Sequence, residues 1–481
     1  MHVVRRVQIA LSMPIAFSVA IPAALSGCAN IAGQNFQSAT KTPTGLFTGW
    51  IGYISSSAGL GGGAGCSLAS AGTVTPTWCT GGTSTFNTID GALSQAGQIF
   101  LDTTGNLYVS DGGNNRISKY NASTGAYIGS LGRVTASSGT CPGSGFTGKW
   151  CTGGSFASGT GDGMFSDPSS VFVDTTGIMY VSDNANHRVS KFNASTGAYL
   201  GSLGYVSSST GSCPGSGFSG SWCTGGVFAL GTGDGMLNYP LGLFVDSAGY
   251  LYINDTSNNR VSKYVASTGA YVGSTGKVTS STGTCPASGA TGGWCTGGVF
   301  AAGTSDGMLN GPSYYLFGDT AGNLYISDYI RVSRYGAQSG KFTGAIGKLS
   351  SSTGTCPSSG AASGWCTGGT FTAGASDGTF TGAVGTFVDG AGYLYVADYL
   401  NNQINKFVAS SGAFVGAIGK TTVSSGTCPS SGVTSSWCTG GTFGSGASDG
   451  MLSSSTSVFV DNVNGYLYVA DYGNLRISRY R

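Results

Sequence analysis

LYVSDGGNNRISKY at 107–120 reads as two short strands joined by a tight turn. Apolar and polar residues alternate on both sides of the turn at 112–115, the period of a half-buried strand. The segment recurs as MYVSDNANHRVSKF, LYINDTSNNRVSKY, LYISDYIRVSRY, LYVADYLNNQINKF and, at 467–480, LYVADYGNLRISRY. Six copies spaced by about 72 residues make one array, not the several domains that 481 residues would otherwise suggest.

Each copy carries four strand patterns. In the second copy they are Val171–Asp174, Met179–Asp183, Arg188–Phe192 and Ala198–Leu203, with turn residues between. Four antiparallel strands repeated six times describe an all-β, six-bladed propeller whose first strands line a central channel. The first five copies end in a fourth strand such as STGAYIGSLG at 123–132, and the sixth stops at Arg481 without one. PTGLFTGWIGY at 43–53 matches the missing piece. The expectation is a ring closed by the N-terminal strand completing the last blade, which removes the exposed ends of the array.

Composition agrees. Charged residues are 8% and apolar residues 40%, enough for a core and too few charges for a solvated disordered chain. The 86 glycines recur mostly in turns. Once Arg5 and Arg6 leave with the leader described next, 19 basic residues face 19 acidic ones. No basic stripe marks a nucleic-acid partner.

Residues 1–27 read as a leader, with Arg5 and Arg6 before the mostly apolar run Val7–Leu25. Leu25-Ser26-Gly27-Cys28 resembles the lipobox of bacterial lipoproteins, which implies acylation and cleavage at Cys28. An ordinary secretory signal or a membrane anchor is the alternative, although Pro14 and Pro22 disfavour a spanning helix. The expected organisation is leader 1–27, lipid-anchored linker 28–43 and propeller 44–481. The expected address is a bacterial cell envelope, at the outer membrane or cell surface, with membrane contact through the lipid alone.

The other 12 cysteines form six local pairs: Cys66/Cys79, Cys141/Cys151, Cys213/Cys223, Cys285/Cys295, Cys356/Cys366 and Cys428/Cys438. One pair per repeat in an exported chain predicts six short disulfide loops. Each adds roughly 3 kcal/mol in the chain-entropy account. Zinc is disfavoured, because two thiolates with no neighbouring histidine cannot complete four-coordination.

The pattern Gly161-Asp162-Gly163-Met164-Phe165, Pro168, Val171–Asp174, Tyr180–Asp183 and Arg188–Phe192 resembles the NHL repeat. That resemblance implies a six-bladed propeller over 44–481. Four features depart from it, the first being that only copies two, three and four keep the Pro before the first strand (Pro168, Pro240 and Pro312). Each repeat carries an insertion of about 25 residues that holds the cysteine pair, copy four is short at 328–331, and copy five has Gln403 where the others have Arg. A zinc-dependent amidating lyase shares this architecture, but its histidine ligands are missing here.

All 19 acids are Asp, and 18 fall into three repeated sets. Those ending the first strand, such as Asp174, read as turn caps. Those after the second strand, such as Asp183, are expected to pair with the Arg five residues on. Those in the insertion tail (Asp90, Asp162, Asp234, Asp306, Asp377 and Asp449) read either as separate turns or as a ring for Ca²⁺. Only Asp167 stands outside the sets. His187 is the sole histidine beyond the leader and takes a turn position that is Asn elsewhere. No catalytic His/Asp cluster is legible.

Six of the seven tryptophans directly precede the second cysteine of an insertion: Trp78, Trp150, Trp222, Trp294, Trp365 and Trp437. A crown of such loops would offer indoles to sugar rings or apolar partners. Alternatively, each indole covers its own disulfide. The reading that follows is a monomeric, non-catalytic binding or scaffold module for a protein or glycan, with no obligatory cofactor. The rival is a metal-dependent hydrolase or lyase acting at the channel mouth.

Overall fold

The computed structural model describes residues 41–312 and 315–481. The leader, Cys28 and most of the linker lie outside them. The described residues form six antiparallel sheets set as blades around an axis. In the second blade the strands are Pro168–Val173, Ile178–Asp183, Arg188–Asn193 and Tyr199–Ser209, paired in chain order from the axis outward. The expected strand pattern is therefore present, with a fourth strand longer than its alternation suggested.

The register gives each blade two ends. Pro168 pairs with Asp183, Asp183 with Arg188, and Arg188 with Gly204, so the Asp–Arg turns lie at one end, called the upper face below. Side chains alternate across each strand, and the buried ones fill the space between neighbouring blades in one continuous core.

The axis itself is packed. Each innermost strand contributes one phenylalanine: Phe100, Phe172, Phe244, Phe317, Phe387 and Phe459. Their rings follow one another in a closed circle at centroid separations of 4.5–5.5 Å. All six are buried, so the expected channel is filled by rings at this level and leaves two separate mouths. Tyr315 adds a bond across the axis above them, its Oη donating to the Ser169 carbonyl at 3.2 Å.

The ring closes as the repeat offset predicts. Strand Phe47–Ser56 pairs with Arg476–Tyr480, with Trp50 opposite Ser478 and Ile51 opposite Ile477. Leu46 and Arg481 exchange both backbone hydrogen bonds, at 2.9 and 2.7 Å.

All six expected disulfides form, one per insertion: Cys66–Cys79, Cys141–Cys151, Cys213–Cys223, Cys285–Cys295, Cys356–Cys366 and Cys428–Cys438. Their setting corrects the expected crown of projecting loops. The second cysteines are buried against the outer edge of their blades. Cys151, Cys223, Cys295, Cys366 and Cys438 bridge to Ser130, Ser202, Ser274, Ala345 and Ala417 of the fourth strands, and Cys79 stands opposite Trp50 of the closing strand. In each of the five, the cysteine N–H donates to that partner's carbonyl at 3.1–3.3 Å. The physical reason is the outer strand itself, whose unpaired backbone groups take up the insertion as a further ladder.

In the second blade, Gly226–Ala229 also returns along Tyr205–Ser209, so the disulfide clamps a hairpin onto the blade. Removing residues 41–56 takes the outer strand from the last blade and bares the edge Arg476–Tyr480. The shortened protein is expected to lose cooperative melting or to associate through that edge, as read by calorimetry and light scattering.

Candidate functional site

The tryptophans lie at the blade junctions. Trp222 rests on Tyr180 at 5.7 Å and under the Lys191 ammonium at 5.1 Å, both in the second blade. Its Nε1 donates across to the Ala266 carbonyl of the third blade at 2.9 Å. The Tyr180 hydroxyl and the Lys191 ammonium reach the same oxygen, each at 3.5 Å. Equivalent bonds run from Trp78 to Ala122, Trp150 to Ala194, Trp294 to Ala337, Trp365 to Ala409 and, across the closing seam, Trp437 to Pro43, at 2.8–2.9 Å. Ala266 follows the third strand, so the indoles sit toward the lower end of the blades. They do not gather as a ring on the upper face.

The repeated acids are also engaged. Asp102 caps its own turn, accepting from the Thr104 and Asn106 N–H groups at 2.9 and 2.8 Å. Each insertion-tail Asp binds the Gly N–H of the next insertion, as Asp162 binds Gly225 at 3.0 Å and Asp449 binds Gly81 at 2.8 Å. That belt spreads the six carboxylates around the circumference. Among the described residues no three of His, Cys, Asp and Glu come together as a metal centre.

The four expected Asp–Arg pairs form, and the fourth blade adds one that the spacing did not predict. Arg188 Nε meets Asp183 at 2.8 Å with both side chains fully buried, and its Nη atoms donate to the Thr160, Gly161 and Met164 carbonyls of the insertion tail. The fork thereby ties the turn to the tail leading into the first strand. Asp111–Arg116, Asp255–Arg260 and Asp471–Arg476 repeat it, and Asp328–Arg331 does so in the shortened turn.

The fifth blade lacks the cation. Asp398 is buried and accepts from the Gly382 N–H at 2.9 Å and from Asn401 Nδ2 at 2.7 Å, while Gln403 turns to Asn405. Burial pushes its carboxyl up to about 7, and these hydrogen bonds only partly oppose the rise.

A depression of about 310 Å³ sits on the axis at the upper face. Gln95, Asp167, Asn184, Tyr239, Ser257, Tyr315 and Tyr472 line it. Here the sixfold pattern breaks. Gln95, Asp167, Tyr239 and Ser454 hold one position in four repeats, just before the first strand, and all have φ of 49–60°. Such a backbone is costly for residues other than glycine and is found where surroundings impose it. The turn position after the paired Asp is Gly112, Asn184, Tyr399 and Tyr472 in different blades.

His187 belongs to the rim. Its Nδ1 accepts from the Tyr239 N–H at 3.2 Å, the role played by Asn115 Oδ1 toward Asp167 at 3.1 Å. Burial lowers the imidazole pKa, which keeps this nitrogen an acceptor. The ring meets Tyr239 edge-on at 4.5 Å. Asp167 and His187 were visible in the sequence as a lone acid and a lone histidine. Their departure from the repeat was the signal for the mouth.

No protein-family model and no curated protein matches the chain. Solved structures do resemble it. An auxiliary nutrient binding protein from Bacteroides ovatus shares 12% identity, with 81% of this chain and 70% of that one covered and a TM-score of 0.44. Its counterpart from Bacteroides thetaiotaomicron gives 12%, 81%, 69% and 0.42. Virginiamycin B lyase from Staphylococcus aureus gives 9%, 80%, 80% and 0.36. The likeness concerns the propeller architecture alone.

The uncompensated carboxyl gives a pH prediction. Asp398 keeps its proton in the folded protein up to about pH 7, whereas an unfolded Asp loses it near pH 4. The native state therefore binds more protons between those values, and stability falls as pH rises through the window. The loss is of order 4 kcal/mol and is complete above the folded pKa. Gln403→Arg, which restores the partner found in five blades, is expected to flatten that slope and raise the melting temperature at pH 8 more than at pH 4. Calorimetry across pH checks it, with Asp398→Asn as a second variant.

Proposed function

We propose that this propeller is a binding module that takes the end of a glycan chain in the depression at its upper mouth. The observation that carries this reading is the break in repeat symmetry there. Elsewhere the repeated side chains are occupied in holding the blades together. At the mouth, Tyr239 and Tyr472 offer aromatic surface, while Gln95, Asn184 and Asp167 offer polar groups around one small cavity. Aromatic faces flanked by carboxamide and carboxylate groups suit sugar rings, which have apolar C–H faces and many hydroxyls. A protein partner contacted by the same rim is the other outcome of the test.

Six disulfides mark an extracytoplasmic protein. Within that setting, the reading includes an NHL-like propeller tethered to the bacterial envelope by a lipid on Cys28. The segment entering at Pro43 meets the ring beside Trp437, at the lower end of the blades.

Two experiments test these statements. A glycan array on the soluble protein lacking its leader is expected to give hits whose affinity falls about tenfold or more in Tyr239→Ala and Asp167→Asn, with melting unchanged. Trp222→Ala is expected to show the converse, a lower melting temperature from the lost junction. Mouth variants that bind as the parent does would refute the site. For the anchor, Cys28→Ala is expected to move the protein from the membrane to the soluble fraction. Continued membrane association of a processed variant would sink that claim.

A further inference from the structure

The rim of the upper mouth is tied by a contact that recurs between blades. The residue just before a first strand is held by the turn of the preceding blade. Asn115 Oδ1 accepts from the Asp167 N–H at 3.1 Å, Asn259 Oδ1 from the Gly311 N–H at 2.8 Å and Asn402 Oδ1 from the Ser454 N–H at 2.9 Å. Between the second and third blades the same clasp is made by His187, whose Nδ1 accepts from the Tyr239 N–H at 3.2 Å. A carboxamide oxygen accepts at any ordinary pH. An imidazole nitrogen accepts only while the ring is neutral, and a protonated ring donates from both nitrogens.

Tyr239 depends on its clasp more than its counterparts do. Its φ is 51°, a left-handed backbone that costs a bulky residue more than it costs Gly311. The residues on either side are fixed. The Asn238 N–H donates to Asp255 Oδ1 at 2.8 Å, and Pro240 opens the first strand of the third blade. Between them, His187 holds the Tyr239 peptide. The tyrosine ring is 46% exposed, lines the depression beside Asn184 and Ser257, and meets the same imidazole edge-on.

We infer that His187 is the positioning residue of the upper mouth, holding Tyr239 in place while its ring is neutral and releasing it in acid. Once Nδ1 is protonated, two N–H groups face each other and the clasp is lost. The charged groups of its own turn, Asp183 and Arg188, are buried and paired with each other. Behind Tyr239, Asp255 is paired with Arg260, and Asp167 lies over Gly112 of the first blade. Burial is the cause that moves the imidazole, and it moves it down. The clasp therefore contributes fully above the unfolded histidine value of about 6.5 and is lost as pH falls through the lower folded value. This is opposite in sign to Asp398, whose stabilisation falls as pH rises. That the released ring matters to a ligand rests on the mouth being a binding site; the release itself does not.

The test reads the protein without ligand. His187 is the sole histidine beyond the leader, so the soluble form lacking residues 1–27 gives imidazole signals from one residue in proton NMR. Tyrosine-selective ¹⁵N labelling supplies the Tyr239 amide signal, identified by its absence from Tyr239→Phe. Between about pH 8 and pH 5, that amide is expected to shift with the midpoint of the imidazole, below about 6.5, and to lose roughly fivefold or more of its protection against exchange. His187→Asn supplies the carboxamide of the other clasps, so it is expected to abolish the titration and keep the amide protected. His187→Ala is expected to leave the amide poorly protected at every pH. A Tyr239 amide that stays in place while the imidazole titrates would overturn the proposal. So would a shift that persists unchanged in His187→Asn. A glycan array without hits bears on the mouth as a site and leaves this proposal to be judged on the Tyr239 amide alone.

Discussion

One backbone carbonyl per junction organises this molecule. At the second junction, the Ala266 oxygen accepts from Trp222, Tyr180 and Lys191 of the blade before it. Side chains pack the blades face to face, but few directional bonds cross between them, because each sheet's own backbone groups are used within its ladder. The turn after the third strand leaves a carbonyl free, and the indole brings a rigid donor to it from an insertion clamped by its disulfide. The Phe circle holds the blades at the axis while the indole bonds hold them near the rim. At the seam, Trp437 reaches Pro43, so the bond between ordinary neighbours also joins the two ends of the chain.

Function is best sought where this sixfold logic lapses. A residue that repeats six times answers a need that every blade shares. A residue found once answers a local one. Asp167, His187 and Tyr239 gather at the upper mouth. Gln403 leaves Asp398 buried without its cation and makes the fifth blade's turn sensitive to pH. These departures stand on a frame rigid enough to keep them in place.

Much of this was legible in the chain. Alternation and turn residues gave the four strands, the offset between the ends gave the closure, and cysteine spacing gave the disulfides. The lie of the insertions was not legible, because Cys151 or Cys295 reads the same whether its loop stands free or runs along a blade edge. The Asp–Arg pairs were readable because both partners flank one short turn. The tryptophans were readable as a set but not in their role. Their acceptor is a backbone carbonyl 44 residues further on in most junctions, and every residue has one. The Phe circle was hidden likewise, since a phenylalanine in a buried strand looks the same whether it meets a neighbour or lines a channel.

The sequence by itself determined the blade, its sixfold repetition and the disulfides, because each depends on periodicity and turn chemistry within a few tens of residues, and it determined the seam because the two chain ends together make up one repeat. Only the tertiary structure decided which groups were already taken and which were left over. It turned six candidate ligand-binding indoles into junction bonds, laid six cysteine-clamped hairpins along the blade edges and separated the tail carboxylates around a belt. Such outcomes depend on distances between blades, and those are set by how the sheets pack around the axis.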